Sequence, residues 1–424
     1  MRKLYSFFIY LLTPLALLYL AIRGLRSRDY FKRWPERFGR FEAPAATGGI
    51  VVHAASMGEV NAASALIREL LSRFPDLPMC ITTVTPTGSD RVSALFGEKV
   101  LSVYAPLDLP GAVRRFLDRT APRLLIVMET EIWPNFFHES ADRGVPIVIA
   151  NARISESSIA SYRRLTPFIS PALRRVSKIA AQSEQDAERL AEIGAQRKQL
   201  AVTGNLKFDV NLPPSLLEQA EPVRLAWGTD RLVLLAGSTH EADEAAILQA
   251  FKSILADFPS ALLVLVPRHP ERFGKAAQLA GAAGLQVSLR SEGIACPRAS
   301  QCFIIDSMGE LMLFYAACDV AFVGGSMDNT GGHNVLEPAA MGKPVIVGPQ
   351  TFNFREITGQ LIDRGAAIRI NDAPELEQAV GSLFNDPELR DQMGQAGIDL
   401  VKSGQGALER TLETIEGVLT GATD

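Results

Sequence analysis

The sequence predicts an α/β chain of two doubly wound halves with an apolar helix in front of them. Three observations carry that prediction. Charge-poor runs of strand length recur from residue 48 and alternate with helical periods; a proline-rich break at 209–224 interrupts the rhythm, which then restarts; and residues 4–22 hold no charged side chain. Runs of that kind suit parallel strands buried on both faces. A chain of 424 residues is also too long for one typical domain.

The apolar segment "LYSFFIYLLTPLALLYLAI" would be a helix of about 28 Å, close to the roughly 30 Å core of a bilayer. It ends in Arg23, Arg26 and Arg28 rather than in a small-residue cleavage site, so it reads as a membrane anchor, spanning or lying in one leaflet. Pro14 does not exclude this. Seven Lys/Arg follow within residues 23–40 against Arg2 and Lys3 before it, which keeps the body on the cytoplasmic side of the membrane. Residues 1–40 are therefore expected to be a single anchor with a basic collar that holds anionic lipids.

The first half, 41–211, contains "IVVHAA", "MCITTV", "VLSVYA", "RLLIVM", "VPIVIA" and "SKIAAQ", separated by helix-like stretches such as "GEVNAASALIRELLSRF". The second half, 212–424, restarts with "RLVLLAG", "ALLVLVP", "QCFIID", "VAFVGG" and "PVIVGP". Residues 373–419 read as amphipathic helices, and a return of the last one to the first half is left open. A cleft between the halves is the expected place for a ligand.

Net charge is −4, but the first 40 residues carry +7, leaving −11 on the rest and excluding nucleic acid as a partner. Cys80, Cys296, Cys302 and Cys318 form no CxxC pair, and the five histidines show no metal-ligand spacing. A metallohydrolase using His53, His240, His269 and His333 is disfavoured because these come from separate strands.

The most informative stretch is "GGSMDNTGGHNVLEPAAMGKPVIVGP", 324–349. Gly324, Gly325, Gly331 and Gly332 allow close backbone approach and positive φ, and "HNVLEPAAMG" follows as a helix start that offers N–H groups to a phosphate. Glu337 is placed to accept from a ribose diol, or merely to satisfy the helix dipole. The pattern is not GxGxxG and lacks the distant acid of a dinucleotide site.

With "HAASMGEVNAA", "TPTGSDR", "METEIWPN", "NARIS", "GNLKFD", "GSTHE", "VPRHPERF" and "MGELMLFY" in order, the chain resembles 3-deoxy-D-manno-octulosonic acid (Kdo) transferases. These are glycosyltransferases of the GT-B type, with two Rossmann-like domains. The resemblance implies inverting transfer of Kdo from CMP-Kdo to the lipid A precursor in lipopolysaccharide synthesis. It assigns the base to Glu59, which the residues alone leave open between a base and a dipole-satisfying acid. It makes Glu129 and Lys207 transition-state stabilisers, and Glu131 is expected to pair with a basic side chain. Donor contacts are implied at Arg268, His269, Met308, Gly309, Glu310, Gly331, Gly332, Asn334, Val335, Leu336 and Glu337. Cytosine would sit near 308–310. CMP has one phosphate and no DxD element stands beside the donor motif, so no metal or other cofactor is expected.

Residues 161–178, "SYRRLTPFISPALRRVSK", would lie on a membrane, hold acceptor phosphates or form an ordinary amphipathic helix. Ala242–Asp243 stand where Gly-Glu is expected from the resemblance, and "SMDNT" is also individual to this chain. The rival readings are a UDP-sugar transferase or epimerase on the same fold, and a catalytically silent nucleotide-binding module tethered to a membrane.

Overall fold

The computed structural model describes residues 1–421 apart from Asn211, Pro214, Ile294 and Ala295, and apart from the side chains of Arg26 and Ser157. Two residues of the proline-rich break thus lie outside the described residues. The chain divides into two compact units, Met1–Asp209 with Gln405–Asp424, and Val210–Gly404.

In the first unit seven strands follow one another: β1 (Ile50–His53), β2 (Met79–Thr83), β3 (Leu101–Tyr104), β4 (Leu124–Met128), β5 (Ile147–Ala152), β6 (Lys178–Ala181) and β7 (Leu200–Val202). They form one sheet in the order β3-β2-β1-β4-β5-β6-β7. Every pairing is parallel, with Ile50 opposite Met79 on one side and Leu124 on the other. The pleat sends successive side chains to opposite faces. Val51, Leu125 and Val127 enter one buried cluster, while Val52, Leu124 and Ile126 enter another. Burial on both faces is why these strands are uninterrupted apolar runs.

The second unit repeats the plan with β8 (Val233–Thr239), β9 (Leu262–Pro267), β10 (Val287–Leu289), β11 (Cys302–Ile304), β12 (Val320–Val323), β13 (Val345–Val347) and β14 (Ala367–Arg369). Their order is β10-β11-β9-β8-β12-β13-β14, again parallel throughout. Leu234, Ala236 and Leu263 face one cluster, and Val233, Leu235 and Leu262 face the other.

Three strands escape the sequence reading: β7, β10 and β14. Each has three residues and sits at a sheet edge, half-exposed, so no apolar run marks it. The break expected at 209–224 is also shorter than its composition suggests. A helix runs from Leu216 to Trp227 with Pro222 inside it. Leu216, Ala220, Val223 and Trp227 recur at helical spacing and are buried, which outweighs the hydrogen bond that Pro222 cannot make.

The last helix, Ala407–Thr420, packs on the first unit although it follows second-unit helices in the chain. The sequence puts the second half at 212–424 with its last helix free to cross back, and the compact unit runs Val210–Gly404. Ala407, Leu412 and Ile415 join the cluster of Val52 and Leu66, Arg73 pairs with Glu409 at 2.6 Å, and Asp209 accepts from the Gly406 and Leu408 N–H groups. The leading helix α1 (Arg2–Arg26) is long and apolar enough to cross a membrane.

Candidate active site

In a parallel α/β sheet the ligand crevice opens at the carboxyl ends of the strands, where the strand order turns back. In the first unit that point lies between β1 and β4, where "HAASMGE" and "METEIWPN" leave the sheet. Ser56 caps helix α2 (Met57–Arg73), and Glu59 is three residues on, the spacing of a capping box. The Glu59 carboxylate accepts the Ala55 N–H at 2.8 Å and the Ser56 hydroxyl at 3.1 Å, and the residue stays partly exposed. Burial is the largest influence on it. Hydrogen bonding from Ala55 opposes that, and the charges of Glu131 and Glu129 add to the rise, which takes the Glu59 carboxyl up to about 7.

Glu129 follows β4 in the left-handed region, at φ 55°, an uncommon place for a residue other than glycine. Its N–H is held by the Ala150 carbonyl, and its carboxylate lies 3.4 Å from Arg153 of "NARIS". Among the described residues Glu131 pairs with no basic side chain, contrary to expectation. It accepts the Trp133 indole N–H at 2.8 Å, and burial raises its carboxyl. The basic partner belongs to Glu129 instead, because the turn carries the two carboxylates to different neighbours. Trp133 meets the buried His53 ring edge-to-face, and burial pushes His53 down to about 4, so it is neutral. The Leu206 N–H is held by Asn151 Oδ1 at 3.0 Å, so "NARIS" positions "GNLKFD" and the half-buried Lys207 beside helix α2. Glu131→Gln removes one like charge beside Glu59. The acid limb of the kcat/KM profile is expected to move to lower pH, and an unmoved limb would uncouple the two carboxylates.

The second unit has its turning point between β8 and β12, where "GSTHE" and the glycine-rich stretch diverge. Gly324 is needed for close approach: a Cβ there would lie 2.5 Å from the Ser238 carbonyl oxygen. Gly331 and Gly332 adopt φ of 95° and 78°, open to glycine at little cost. The helix start is less than the sequence suggests. Leu336–Ala340 is a single turn, and the Leu336 N–H is already taken by Asn334 Oδ1 at 3.1 Å. Val335 and Leu336 are buried and fix this turn in the core. Asn334 also donates to Glu337 at 3.1 Å, and burial raises the Glu337 carboxyl while Asn334 and the Arg268 charge oppose the rise.

Arg268 and His269 leave β9 beside this loop. The His269 ring packs edge-to-face on His240, whose Nε2 is 3.0 Å from Nε2 of His333. Burial, then His240, Arg268 and His269, push His333 down to about 4. Arg268, His269 and Glu337 are therefore brought together, with His240 and His333 added. The next strand end, after β11, carries an exposed Met308, Gly309 at φ 89°, and Glu310, which is already engaged by Ser307 and by Arg290 at 2.9 Å. Among the described residues no group of three or more His, Cys, Asp or Glu is arranged to hold a metal ion.

Sequence reading missed Asp243. Its buried carboxylate accepts N–H groups from His240 (2.8 Å), Gly325 (2.7 Å), Ser326 (3.3 Å) and Met327 (3.0 Å), so it shapes the whole glycine-rich turn. The signal was its place three residues after His240, another capping-box spacing. In the sequence it stands out only as a departure from the expected Gly-Glu.

Two parallel seven-stranded units, each with its polar groups at the turning point of the sheet, define a GT-B glycosyltransferase fold. Solved structures share it. UDP-GlcNAc 2-epimerase from Neisseria meningitidis, bound to UDP-GlcNAc, matches 87% of this chain and 99% of its own with a TM-score of 0.55 and 14% identity. A glycosyltransferase from Rickettsia africae matches 88% and 99% with a TM-score of 0.54 and 15% identity, and likeness at these identities is one of fold alone. The family model for 3-deoxy-D-manno-octulosonic-acid transferase (kdotransferase) matches residues 32–210, and that for glycosyl transferases group 1 matches 240–400. A 3-deoxy-D-manno-octulosonic acid transferase of Haemophilus influenzae is 41% identical over 99% of both chains, and one of Bordetella pertussis is 38% identical over 98% of this chain and 99% of its own. The chain belongs to the 3-deoxy-D-manno-octulosonic acid transferase family and is a glycosyltransferase.

Proposed function

We propose that the protein transfers Kdo from CMP-Kdo to the acylated glucosamine disaccharide that precedes lipid A, with inversion at C2. Glu59 takes the proton of the acceptor hydroxyl as that oxygen bonds to C2. The bond from C2 to the phosphate oxygen breaks on the opposite face, and CMP leaves with the electron pair. The observation that carries this reading is the Glu59 carboxyl, partly exposed at a sheet turning point and raised to about 7, where near neutral pH a substantial share is ionised and the carboxylate is more basic than usual. Glu129 supports the charge that develops on the sugar, and Lys207 and Arg268 balance the sugar carboxylate and the departing phosphate. Asn334 and Glu337 orient the donor, and the 308–310 loop receives the cytosine. Two side-chain cations and loop N–H groups balance a monophosphate without a divalent ion, so chelation is expected to leave the rate unchanged. Helix α1 holds the chain on the cytoplasmic face of the inner membrane.

The test is purified protein with CMP-Kdo and phosphorylated, acylated glucosamine disaccharide, the products resolved by mass. Addition of Kdo with release of CMP is expected, and failure with CMP-Kdo alongside success with a UDP-sugar would overturn the donor. Arg268→Ala is expected to raise the dissociation constant for CMP about 10-fold to 100-fold, since it removes a charge-assisted phosphate contact. Titration calorimetry on the variant checks this, and an unchanged constant would move the phosphate away from Arg268.

A further inference from the structure

We infer that helix α1 lies in the plane of the membrane, sunk into one leaflet along its outer face, and does not cross the bilayer. The inference rests on the membrane attachment proposed above and decides its geometry. A helix of 25 residues is about 37 Å long, enough to put its two ends on opposite sides of a bilayer. Both ends are nevertheless tied to the same folded unit. At the leading end the Arg2 guanidinium bonds Glu139 and, at 2.9 Å, Asp142; the Tyr5 hydroxyl donates to Asp108 at 2.8 Å, and Ser6 donates to Asn135 at 2.9 Å. At the trailing end a Cβ on Gly24 would sit 2.6 Å from the Phe31 ring, and the Arg23 guanidinium lies 4.7 Å from the centre of the buried Tyr30 ring. The Trp34 indole then donates to the Tyr30 carbonyl at 2.6 Å, and Arg33 donates to Ser89 at 2.6 Å, which fixes the segment on the body.

Between those ends one side of the helix is less exposed than the other. Tyr5, Ile9, Thr13, Leu17, Leu20 and Gly24, spaced by three or four, are half-buried or buried. The opposite side carries Phe7, Leu11, Leu15, Leu18, Ile22 and Leu25, all exposed, from 51% at Ile22 to 81% at Leu25. A spanning helix would meet lipid around its whole circumference and would have to give up every contact of its first face. A helix seated on the body presents one apolar side to a leaflet, the geometry of an interfacial anchor. Beside the helix, Phe31 and Leu165 of the helix Glu156–Leu173, whose Phe168 ring centre is 6.3 Å from that of Tyr5, add exposed apolar surface. Exposed Lys3, Arg23, Arg28 and Arg164 accompany it, the charge that anionic headgroups attract. The occupant of this face is thus an anionic lipid leaflet.

The four native cysteines are buried, so one introduced thiol on the full chain reports its own side of the membrane. Lys3→Cys and, as a body control, Glu42→Cys both replace exposed residues. With a membrane-impermeant maleimide, both are expected to label in inverted inner-membrane vesicles and to be protected in intact spheroplasts. Labelling of Lys3→Cys in spheroplasts, with Glu42→Cys protected, would overturn the in-plane geometry and leave attachment standing. In flotation, the wild type is expected to rise with phosphatidylcholine vesicles containing phosphatidylglycerol. A triple variant, Leu11→Glu, Leu15→Glu and Leu18→Glu, is expected to lose at least about tenfold in vesicle binding. Wild type that ignores the vesicles overturns attachment itself, and a lipid-independent dimer abolished by the triple variant assigns the face to a second copy and overturns the proposal.

Discussion

Glu59→Gln is expected to lower turnover by about 10²-fold to 10⁴-fold, the usual contribution of a positioned base, while CMP binding by the second unit is retained. The amide keeps the shape and an oxygen for the Ala55 N–H, so the start of helix α2 survives and the loss reports proton transfer. In the wild type, kcat/KM is expected to fall as pH drops through about 7, because the base must be ionised and its carboxyl sits there. The variant is expected to lose that acid limb. Stability gives an independent readout with a definite sign. A carboxyl whose folded pKa is raised contributes stability that is complete below its unfolded value and lost as pH rises through about 7. Glu59→Gln removes that loss, so the variant should melt no lower than wild type at pH 8, with its relative advantage fading toward pH 5. A variant of normal turnover that melts lower at pH 8 would make Glu59 a capping residue and nothing more.

Asp243→Ala is expected to unravel the donor loop. Four N–H groups converge on this carboxylate, three of them from the turn that follows β12. An unpaired buried donor costs about 1–3 kcal/mol, so losing the acceptor for three loop donors amounts to roughly 3 kcal/mol or more. For a unit of this size that lowers the melting temperature by roughly 6–12 °C. Because the turn also carries Gly331 to Glu337, CMP affinity is expected to fall by about 10²-fold or more, as roughly 1.4 kcal/mol is tenfold. Asp243→Asn keeps one carbonyl oxygen and should fall between the two. Calorimetry of melting and of CMP binding on both variants checks the pair. Unchanged CMP affinity in Asp243→Ala would show that the turn is held by its glycines and Ser326 without the carboxylate.

Much of this molecule is legible in the chain because burial on both faces writes itself as uninterrupted apolar runs. Eleven strands were readable for that reason, whereas β7, β10 and β14, at sheet edges, were not. The break over 209–224 looks longer in the sequence than it is, because its prolines mask the 216, 220, 223, 227 stripe that buries the helix. The motifs at the strand ends were readable as well, since small residues and isolated charges stand out against apolar runs. Their partners were not, because a hydrogen bond between residues 82 or more positions apart, such as Asp243 to Gly325, leaves no local pattern.

The sequence by itself determined the two doubly wound units, the apolar leading helix and the set of polar residues at the carboxyl ends of the strands. Periodicity and composition act locally along the chain, so they suffice for these. Only the tertiary structure decided that Glu131 binds an indole while Glu129 takes the arginine, that burial and two neighbouring carboxylates lift Glu59, and that both ends of the leading helix rest on one unit. Those outcomes depend on which groups meet across the fold and on how much water each loses, quantities that exist only once the strands are paired.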